Sequence, residues 1–116
     1  MPMYRIDIHT GAVGTDATVY VTLYGSAASS NELVFVNDGA RFAQNSVDTT
    51  WLELGDLGDI SRLRVRHDNA GSRADWFLRH VDVRCADRER LWRFRCDRWL
   101  ARHHDDGETE RMLDPS

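Results

Sequence analysis

The sequence predicts an all-β protein, an antiparallel sandwich of eight strands, and three observations lead to this fold class. Apolar and polar side chains alternate along residues 4–9 and 17–24, which is the period of a strand with one buried face. Glycine, asparagine and aspartate stand at nearly every junction between strand-like segments. No helical spacing of apolar residues is long enough to compete, although residues 97–102 could form one helical turn.

The first two strands carry the clearest alternation. In the first, Tyr4, Ile6 and Ile8 point to one side, and in the second, Val19 and Val21 do the same. Six further short strands complete the set, at residues 33–36, 50–54, 63–67, 77–85, 91–96 and 109–113. Short strands separated by polar turns are typical of a sandwich.

Length and composition narrow the class of protein. The chain has 116 residues, of which 41% are hydrophobic and 29% charged, so we expect one soluble, monomeric domain over residues 1–116. The apolar runs are too short for a transmembrane segment or a signal peptide, which favours a cytoplasmic or peripheral membrane location. The net charge of -4 argues against a nucleic-acid partner, since such domains are usually basic.

Arginine is concentrated in the later half of the chain, and lysine is absent. Arg62, Arg64 and Arg66 alternate with apolar residues and form an arginine stripe on one face of a strand. Arg93 and Arg95 would flank this stripe if their strand lies alongside. The stripe is either a surface for a phosphoinositide or a protein partner, or a solvated face balanced by acids on adjacent strands.

Two loops combine glycine with short acidic residues. Gly14-Thr15-Asp16 joins the first two strands, and residues 67–71, His-Asp-Asn-Ala-Gly, precede Asp75 at the start of a later strand. Calcium prefers several oxygen ligands, which glycine carbonyls and short acidic side chains supply without bulk. Loops at one end of a sandwich can converge although they lie far apart in sequence. Taken alone, each loop is also explained as an ordinary turn.

The order and spacing of these segments resemble the PLAT, or lipoxygenase-homology, domain, in particular bacterial and tandem-array units. The matching segments are Tyr4-Arg5-Ile6-Asp7-Ile8 with Thr10-Gly11, Gly14-Thr15-Asp16-Ala17, Val19-Tyr20-Val21-Thr22-Leu23-Tyr24-Gly25, residues 42–48, Leu57-Gly58, His67-Asp68-Asn69-Ala70-Gly71, Trp76-Phe77-Leu78, Phe94-Arg95-Cys96-Asp97-Arg98-Trp99-Leu100 and Asp105-Asp106-Gly107. The resemblance implies two four-stranded sheets, with loops at one end that in several members bind calcium and dock the domain on membranes.

The resemblance also assigns calcium ligands by position, all of them oxygen donors in these loops, with Asp16 the strongest single ligand. The first set comprises Ala12, Gly14, Thr15, Asp16 and Asp75, to which the facing loop adds Asp68 and Asn69. A second family site draws acids from the loop before Phe42, where this chain has Ala40 and Arg41 instead. Asn37 and Asp38 would replace those acids only if their loop bends toward the site.

Membrane-inserting members of the family carry large aromatic residues at the loop tips. Here Val13 lies at one tip and Arg73 at the other, so we expect contact with anionic lipid headgroups rather than deep insertion. Trp99 follows the last long strand and could be exposed near the calcium loops. These three residues are therefore predicted to contact the lipid or the partner protein.

The other tryptophans and both cysteines are predicted to be structural. Trp51, Trp76 and Trp92 are expected to anchor the core and the sheet edges rather than to form a ligand platform. Cys85 and Cys96 are too few for a disulfide scaffold or a zinc site, and we expect buried free thiols.

Catalytic motifs are missing from the sequence. It contains no Gly-x-Ser-x-Gly elbow and no His-Glu-x-x-His. Residues 103–106, His-His-Asp-Asp, could bind a transition metal but are also explained as a solvated turn. The leading prediction is a non-catalytic, calcium-binding module that targets a lipid surface or a partner protein. The alternatives are a calcium-independent interaction or structural unit that uses the arginine stripe, and an accessory domain of a lipase or lipoxygenase.

Overall fold

Two antiparallel four-stranded sheets pack face to face in the computed structural model, which describes residues 2–37 and 41–116. Within these residues the strands are β1 (Met3–Thr10), β2 (Val19–Gly25), β3 (Leu33–Phe35), β4 (Val47–Glu53), β5 (Ile60–His67), β6 (Trp76–Cys85), β7 (Arg90–Leu100) and β8 (Glu110–Leu113), with a 3₁₀ turn over Ala86–Arg88. The first sheet has the order β4-β1-β6-β7 and the second β3-β2-β5-β8. The predicted fold class is confirmed.

The core lies between the sheets and is filled by every second residue of the strands. Tyr4, Ile6 and Ile8 of β1 are at most 1% exposed, as their alternation with polar residues predicts. Val19 and Val21 of β2 face them from the other sheet and are also fully buried. Each such side chain contributes about 1.5–3 kcal/mol by leaving water, so these strands fix the register of both sheets.

β7 is longer than the sequence predicts, and the helical turn considered for residues 97–102 is not formed. Antiparallel pairing with β6 continues to the partners Trp76 and Leu100. Asp97 adopts a left-handed φ of 51°, at a point where the register between the two strands shifts. Such a bulge lets the strand absorb an extra residue and keep pairing. The extension carries Trp99 to the loop end of the sandwich.

A second irregularity reverses which side chains of β6 face the core. The register shifts between Leu78 and His80, so Arg79 is the residue at the bulge. Trp76 and Leu78 are buried before this point, whereas Val81 is buried after it. Without the shift, the side chain of His80 would point into the apolar core, where an ionisable group is costly.

The tryptophans and cysteines largely occupy the predicted environments. Trp76 and Trp92 are buried, whereas Trp51 is 52% exposed on β4 at the edge of the first sheet. Both cysteines are free thiols, with Cys85 buried and Cys96 only partly buried. Burial raises the pKa of the Cys96 thiol, which disfavours the reactive thiolate. Among the described residues, no helix has the length and apolar character needed to cross a membrane.

Candidate cation-binding cleft

A cleft of about 590 Å³ opens at one end of the sandwich, where the loops after β1 and β5 meet the segment before β4. Its lining combines backbone, acidic, basic and aromatic groups, contributed by Ala12, Val13, Gly14, Thr15, Asp16, Arg41, Phe42, Ala43, Gln44, Arg73, Asp75, Trp99 and His104. We call this feature the loop cleft. Most of the residues predicted to bind calcium or lipid line it, although they come from segments far apart in the sequence.

The first loop is held in place by close backbone contact with the segment before β4. The Thr15 amide donates to the Phe42 carbonyl at 3.1 Å. A Cβ atom on Gly14 would lie 2.3 Å from that same carbonyl oxygen, so only glycine allows this approach. The Asp48 carboxylate accepts from the Phe42 amide at 2.9 Å and supports Phe42 at its left-handed φ of 56°. The loop is therefore a rigid part of the fold.

Thr15 joins the first loop to the second. It is 5% exposed, and its hydroxyl donates to the Ala74 carbonyl at 2.7 Å and accepts from the Ala17 amide at 3.1 Å. The Asp16 amide donates to the Arg73 carbonyl at 3.0 Å. These bonds bring the two predicted calcium loops together. The Thr15 hydroxyl is therefore engaged in hydrogen bonds that hold the fold.

Asn37 contacts the first loop through its side-chain nitrogen. Its Nδ2 donates to the Thr15 carbonyl at 2.7 Å and to the Ala17 carbonyl at 3.2 Å. These contacts place Asn37 beside the loop as a clamp on its backbone. Asp38, the other residue proposed for this position, lies outside the described residues.

In the second loop, several polar groups form hydrogen bonds that hold the turn itself. Oδ1 of Asp68 accepts from the Thr18 amide at 3.2 Å and from the Ala70 amide at 3.0 Å. Asn69 has a left-handed φ of 57°, and its amide donates to Nδ1 of His67 at 3.0 Å. Asp68 and Asn69 do not line the loop cleft. Their assignment as ligands stays a prediction, and their visible contacts are those of a turn.

His67 anchors the same turn to the core. The ring is 3% exposed, and its Nε2 donates to the Leu100 carbonyl at 2.7 Å while Nδ1 accepts from Asn69. This pattern requires the neutral ring with its proton on Nε2. Burial lowers the pKa of His67, against the opposing effects of Asp68 and Asp75. The turn therefore rests on a neutral histidine near physiological pH.

Asp16 and Asp75 are the acidic side chains of the loop cleft. Within residues 2–37 and 41–116, no hydrogen bond or ion pair engages the Asp16 carboxylate. The Asp75 carboxylate accepts from the Arg102 amide at 3.2 Å and lies 3.8 Å from Nε2 of His104. The carbonyls of Ala12 and Gly14 accept no hydrogen bond from the described residues. Carboxylate and carbonyl oxygens are the hard donors that calcium prefers, and these four groups could supply part of its six to eight ligands.

Aromatic and basic residues border these oxygens. Trp99 stacks on His104 with ring centroids 3.9 Å apart and makes an edge contact with Phe77 at 5.6 Å. Arg41 and Arg73 line the same cleft and place positive charge beside it. Trp99 thus lies beside the predicted calcium loops, where it is half-buried rather than exposed. His104 was not singled out for this cleft, because its place depends on the unpredicted extension of β7.

The arginine stripe is paired with acids that lie just before β3, on β8 and just after β8. Arg66 makes hydrogen bonds of 2.9 and 2.8 Å to the two carboxylate oxygens of Glu32, and Arg64 lies 3.3 Å from Glu110. Arg62 lies 3.6 Å from Asp114. The balanced face is the interpretation that these contacts favour.

Arg93 and Arg95 do not flank the arginine stripe, contrary to the expectation from sequence. Their strand, β7, belongs to the first sheet, whereas the stripe lies on β5 of the second. The Arg93 guanidinium instead binds Asp82 on the neighbouring strand β6. The order of the strands in a sheet decides which charged side chains become neighbours. Alternation along one strand does not contain that order.

The acids of residues 103–106 are paired with arginine. Arg98 makes 3.0 Å hydrogen bonds to Asp105, and Arg111 makes a 2.8 Å hydrogen bond to Asp106. The Arg111 contact is the main cause that lowers the pKa of Asp106 far below its usual value. These bonds fasten the segment before β8 and agree with a charged turn rather than a metal site.

Comparison with known proteins identifies similar sequences over nearly the whole chain. A sequence profile described as PLAT/LH2 domain matches residues 4–114. Lipoxygenase homology domain-containing protein 1 of Homo sapiens is 36% identical over 121 residues, with 97% of this chain and 6% of that protein aligned. Polycystin-1-like protein 3 of Mus musculus is 32% identical, again over 97% of this chain and 6% of the relative. The chain spans a small part of these relatives.

Solved structures agree with the fold. Coral 8R-lipoxygenase aligns with a TM-score of 0.80 and 26% identity over 98% of this chain and 17% of that chain. A calcium-dependent 11R-lipoxygenase gives 0.77 and 21% over 99% of this chain and 17% of its own. Alpha toxin from Clostridium absonum gives 0.70 and 22%, over 97% of this chain and 31% of the toxin. The matches at 21% and 22% identity support the fold alone.

Proposed function

The chain belongs to the PLAT/LH2 domain family, and from this premise we propose that it is a non-catalytic module that binds calcium in the loop cleft and thereby docks on an anionic lipid surface. The observation that carries the proposal is that two acidic residues, Asp16 and Asp75, line one cleft together with Ala12 and Gly14. Calcium takes six to eight oxygens. Water and lipid phosphate oxygens would complete the shell.

The character of Asp16 supports this proposal. The exposed Asp16 carboxylate has no hydrogen bond or ion pair within the described residues that an arriving ion would have to break, and it adds negative charge next to Ala12 and Gly14. The loop beneath it is fixed by the contact between Gly14 and Phe42 and by the buried hydroxyl of Thr15. An ion would therefore meet donors that are already positioned, which lowers the entropy lost on binding.

A relative supports calcium as the ion. The coral 8R-lipoxygenase structure, 26% identical to this chain, is described by calcium activation through a C2-like domain. In that enzyme the matched part is 17% of the chain. The proposal carries to this protein the use of calcium by the shared sandwich, and not the lipoxygenase activity.

The borders of the loop cleft favour a lipid surface as the target. Val13 is 38% exposed at the loop tip, and Trp99 lies at the cleft, so the apolar contribution is small and the contact is shallow. Arg41 and Arg73 oppose a bare cation but attract the phosphate that a bound calcium would share. An ion that bridges the two acids and an anionic headgroup would neutralise the acids, and the headgroup phosphate would in turn balance the charge of the two arginines.

Calorimetry and thermal unfolding test the calcium step. Calcium should bind with measurable heat and raise the melting temperature over an EDTA control, since a hundredfold excess over Kd stabilises the fold by about 2.7 kcal/mol. Asp16→Asn keeps the side-chain shape but removes the charge, and should weaken binding by about tenfold or more. Asp87→Asn, an exposed acid in the 3₁₀ turn, is the matched control and should bind calcium like the wild type. Absence of calcium binding in the wild type overturns the proposal.

Sedimentation with vesicles tests the lipid step. Vesicles of phosphatidylcholine with phosphatidylserine should pellet the protein with calcium but not with EDTA, and Asp16→Asn should abolish the difference. Pure phosphatidylcholine vesicles are the control for headgroup charge. Calcium binding without pelleting would point to a partner protein. If the protein neither binds calcium nor pellets with the vesicles, the alternatives are favoured. These are a calcium-independent interaction unit that uses the arginine stripe and an accessory domain of a lipase or lipoxygenase.

A further inference from the structure

Three metal-binding side chains meet on the outer face of the first sheet, away from the loop cleft. His9 on β1 and His80 on β6 are direct antiparallel partners, and Asp82 follows two residues later on the same face of β6. The bulge at Arg79 turns His80 and Asp82 outward, because it shifts the alternation of β6 by one residue. We call His9, His80 and Asp82 the histidine cluster.

The ligand atoms of this cluster face one another without hydrogen bonds between them. Nε2 of His9 lies 3.6 Å from Oδ2 of Asp82, and Nε2 of His80 lies 3.8 Å from the same oxygen. Both separations exceed the range of a normal hydrogen bond. Nε2 of His80 is buried and has no hydrogen-bond partner among the described residues. A buried polar atom in this state usually has an unseen partner, either an ion or water.

The separations are close to those around a small tetrahedral ion. Zinc bonds of about 2.0–2.2 Å place neighbouring ligand atoms about 3.3–3.5 Å apart. The three atoms of the histidine cluster lie within 4.8 Å of one another, and two of the three distances exceed that spacing by only a few tenths of an ångström. We propose that His9, His80 and Asp82 form a binding site for a divalent transition metal ion, for which zinc is the best match.

The surroundings hold the three ligands in place. Arg93 makes hydrogen bonds of 2.8 and 3.0 Å to the two oxygens of Asp82, which fixes the orientation of the carboxylate. The two imidazole rings stack with centroids 4.0 Å apart. Asp7, the antiparallel partner of Asp82, is 6% exposed and adds negative charge to a region that also contains Arg5. Side chains that are already ordered lose little entropy when they take a metal.

The chemistry of the donors separates this site from the calcium site. Imidazole nitrogen suits zinc, copper and nickel, whereas calcium prefers oxygen alone. The His9 side chain is 25% exposed, so solvent reaches the cluster and a water molecule could complete a four-coordinate shell. The proposal is independent of the proposed function of the loop cleft.

Zinc titration of the untagged, EDTA-stripped protein tests this inference. Isothermal calorimetry should give one zinc per chain, and a large excess of calcium should not compete. His9→Gln and His80→Gln remove one imidazole each while keeping a polar side chain, and each should weaken zinc binding at least about tenfold. His103→Gln removes an exposed histidine elsewhere and is the matched control, with unchanged affinity expected.

Two results would overturn the inference. One is no saturable zinc binding in the wild type up to about 100 μM free metal. The other is an affinity unchanged in both His9→Gln and His80→Gln but lost in His103→Gln, which would move the site to residues 103–106. If either cluster variant fails to fold, imidazole nitrogen NMR of the wild type decides instead. Zinc should then shift the Nε2 resonances of His9 and His80 and leave that of His103 in place.

Discussion

The loop cleft and the arginine stripe are both rich in charge, but they differ in how that charge is satisfied. On the stripe, Arg66 pairs with Glu32, just before β3, and Arg64 pairs with Glu32 and with Glu110 of β8, so the charges largely cancel. In the loop cleft, Asp16 has no such partner among the described residues, while the buried Thr15 beside it uses its hydroxyl and its amide in hydrogen bonds. The comparison indicates that unpaired groups on a rigid base mark a site better than the number of charges does.

The histidine cluster is like the cleft and unlike the stripe, because it contains polar atoms that form no hydrogen bond to one another. Asp82 is held by Arg93, yet the two imidazole nitrogens that face it are 3.6 and 3.8 Å away and form no hydrogen bond to it. Substitutions in the cleft and on the stripe should therefore have different effects. Changes under the cleft should cost stability and binding together, whereas changes on the stripe should cost little of either.

Gly14→Ala should have the largest effect on stability. The new Cβ atom would lie 2.3 Å from the Phe42 carbonyl oxygen, so the backbone must move and the 3.1 Å bond from the Thr15 amide to that oxygen is disturbed. We expect a loss of about 2–3 kcal/mol in the free energy of unfolding, measured by urea denaturation, and weaker calcium binding. Gly55→Ala is the control, because nothing lies within 4 Å of the added methyl group. Equal stability of the two variants would show that the cleft base is not rigid.

Thr15→Val should have the next largest effect. The substitution keeps the shape of the side chain but removes the hydroxyl that donates to the Ala74 carbonyl and accepts from the Ala17 amide. Both backbone groups then lack a partner in a buried position, which costs about 1–3 kcal/mol. Thr18→Val, whose hydroxyl makes no hydrogen bond among the described residues, should change stability by less than about 0.5 kcal/mol. Denaturation of both variants in parallel separates a structural hydroxyl from an ordinary surface hydroxyl.

Much of the fold could be predicted from the sequence because alternation is a local signal. The inward positions of Tyr4, Ile6 and Ile8 follow from the period of two, and the polar turns mark where strands end. The meeting of Asp16 with Asp75 in one cleft is a possibility that the residues raise, and the family resemblance makes it specific, since it depends on loops from distant segments.

Features that depend on register could not be predicted. The apolar pattern changes phase across Arg79, from Trp76 and Leu78 to Val81, but this change does not report which strand lies alongside, so the meeting of His80 with His9 could not be predicted. The hydrogen bond from the side-chain Nδ2 of Asn37 to the Thr15 carbonyl also depends on a bend that alternation does not encode. For the same reason, Arg93 could not be assigned to Asp82 before the order of the strands was known.

Arg66→Gln should have the smallest effect and so sharpens the contrast with the cleft. Arg66 hydrogen-bonds both oxygens of Glu32 at 2.9 and 2.8 Å, but the two side chains are about a third exposed. Exposed pairs of this kind contribute about 0.2–1 kcal/mol, and a double-mutant cycle with Glu32→Gln should measure a coupling in that range. Calcium binding should stay at the wild-type level.

The pH dependence of this coupling gives a second check. The hydrogen bond from Arg66 lowers the pKa of Glu32, so the folded protein holds the carboxylate charged more strongly than the unfolded chain does. The resulting stabilisation is present above the unfolded pKa and is lost as the pH falls through the folded pKa. The cycle should therefore give its full coupling at pH 7 and a smaller one near pH 3, and high salt should reduce it at pH 7. A coupling well above 1 kcal/mol, or one that grows on acidification, would contradict this expectation. It would mean that the ion pair contributes as much to the free energy of unfolding as the buried contacts at the base of the cleft.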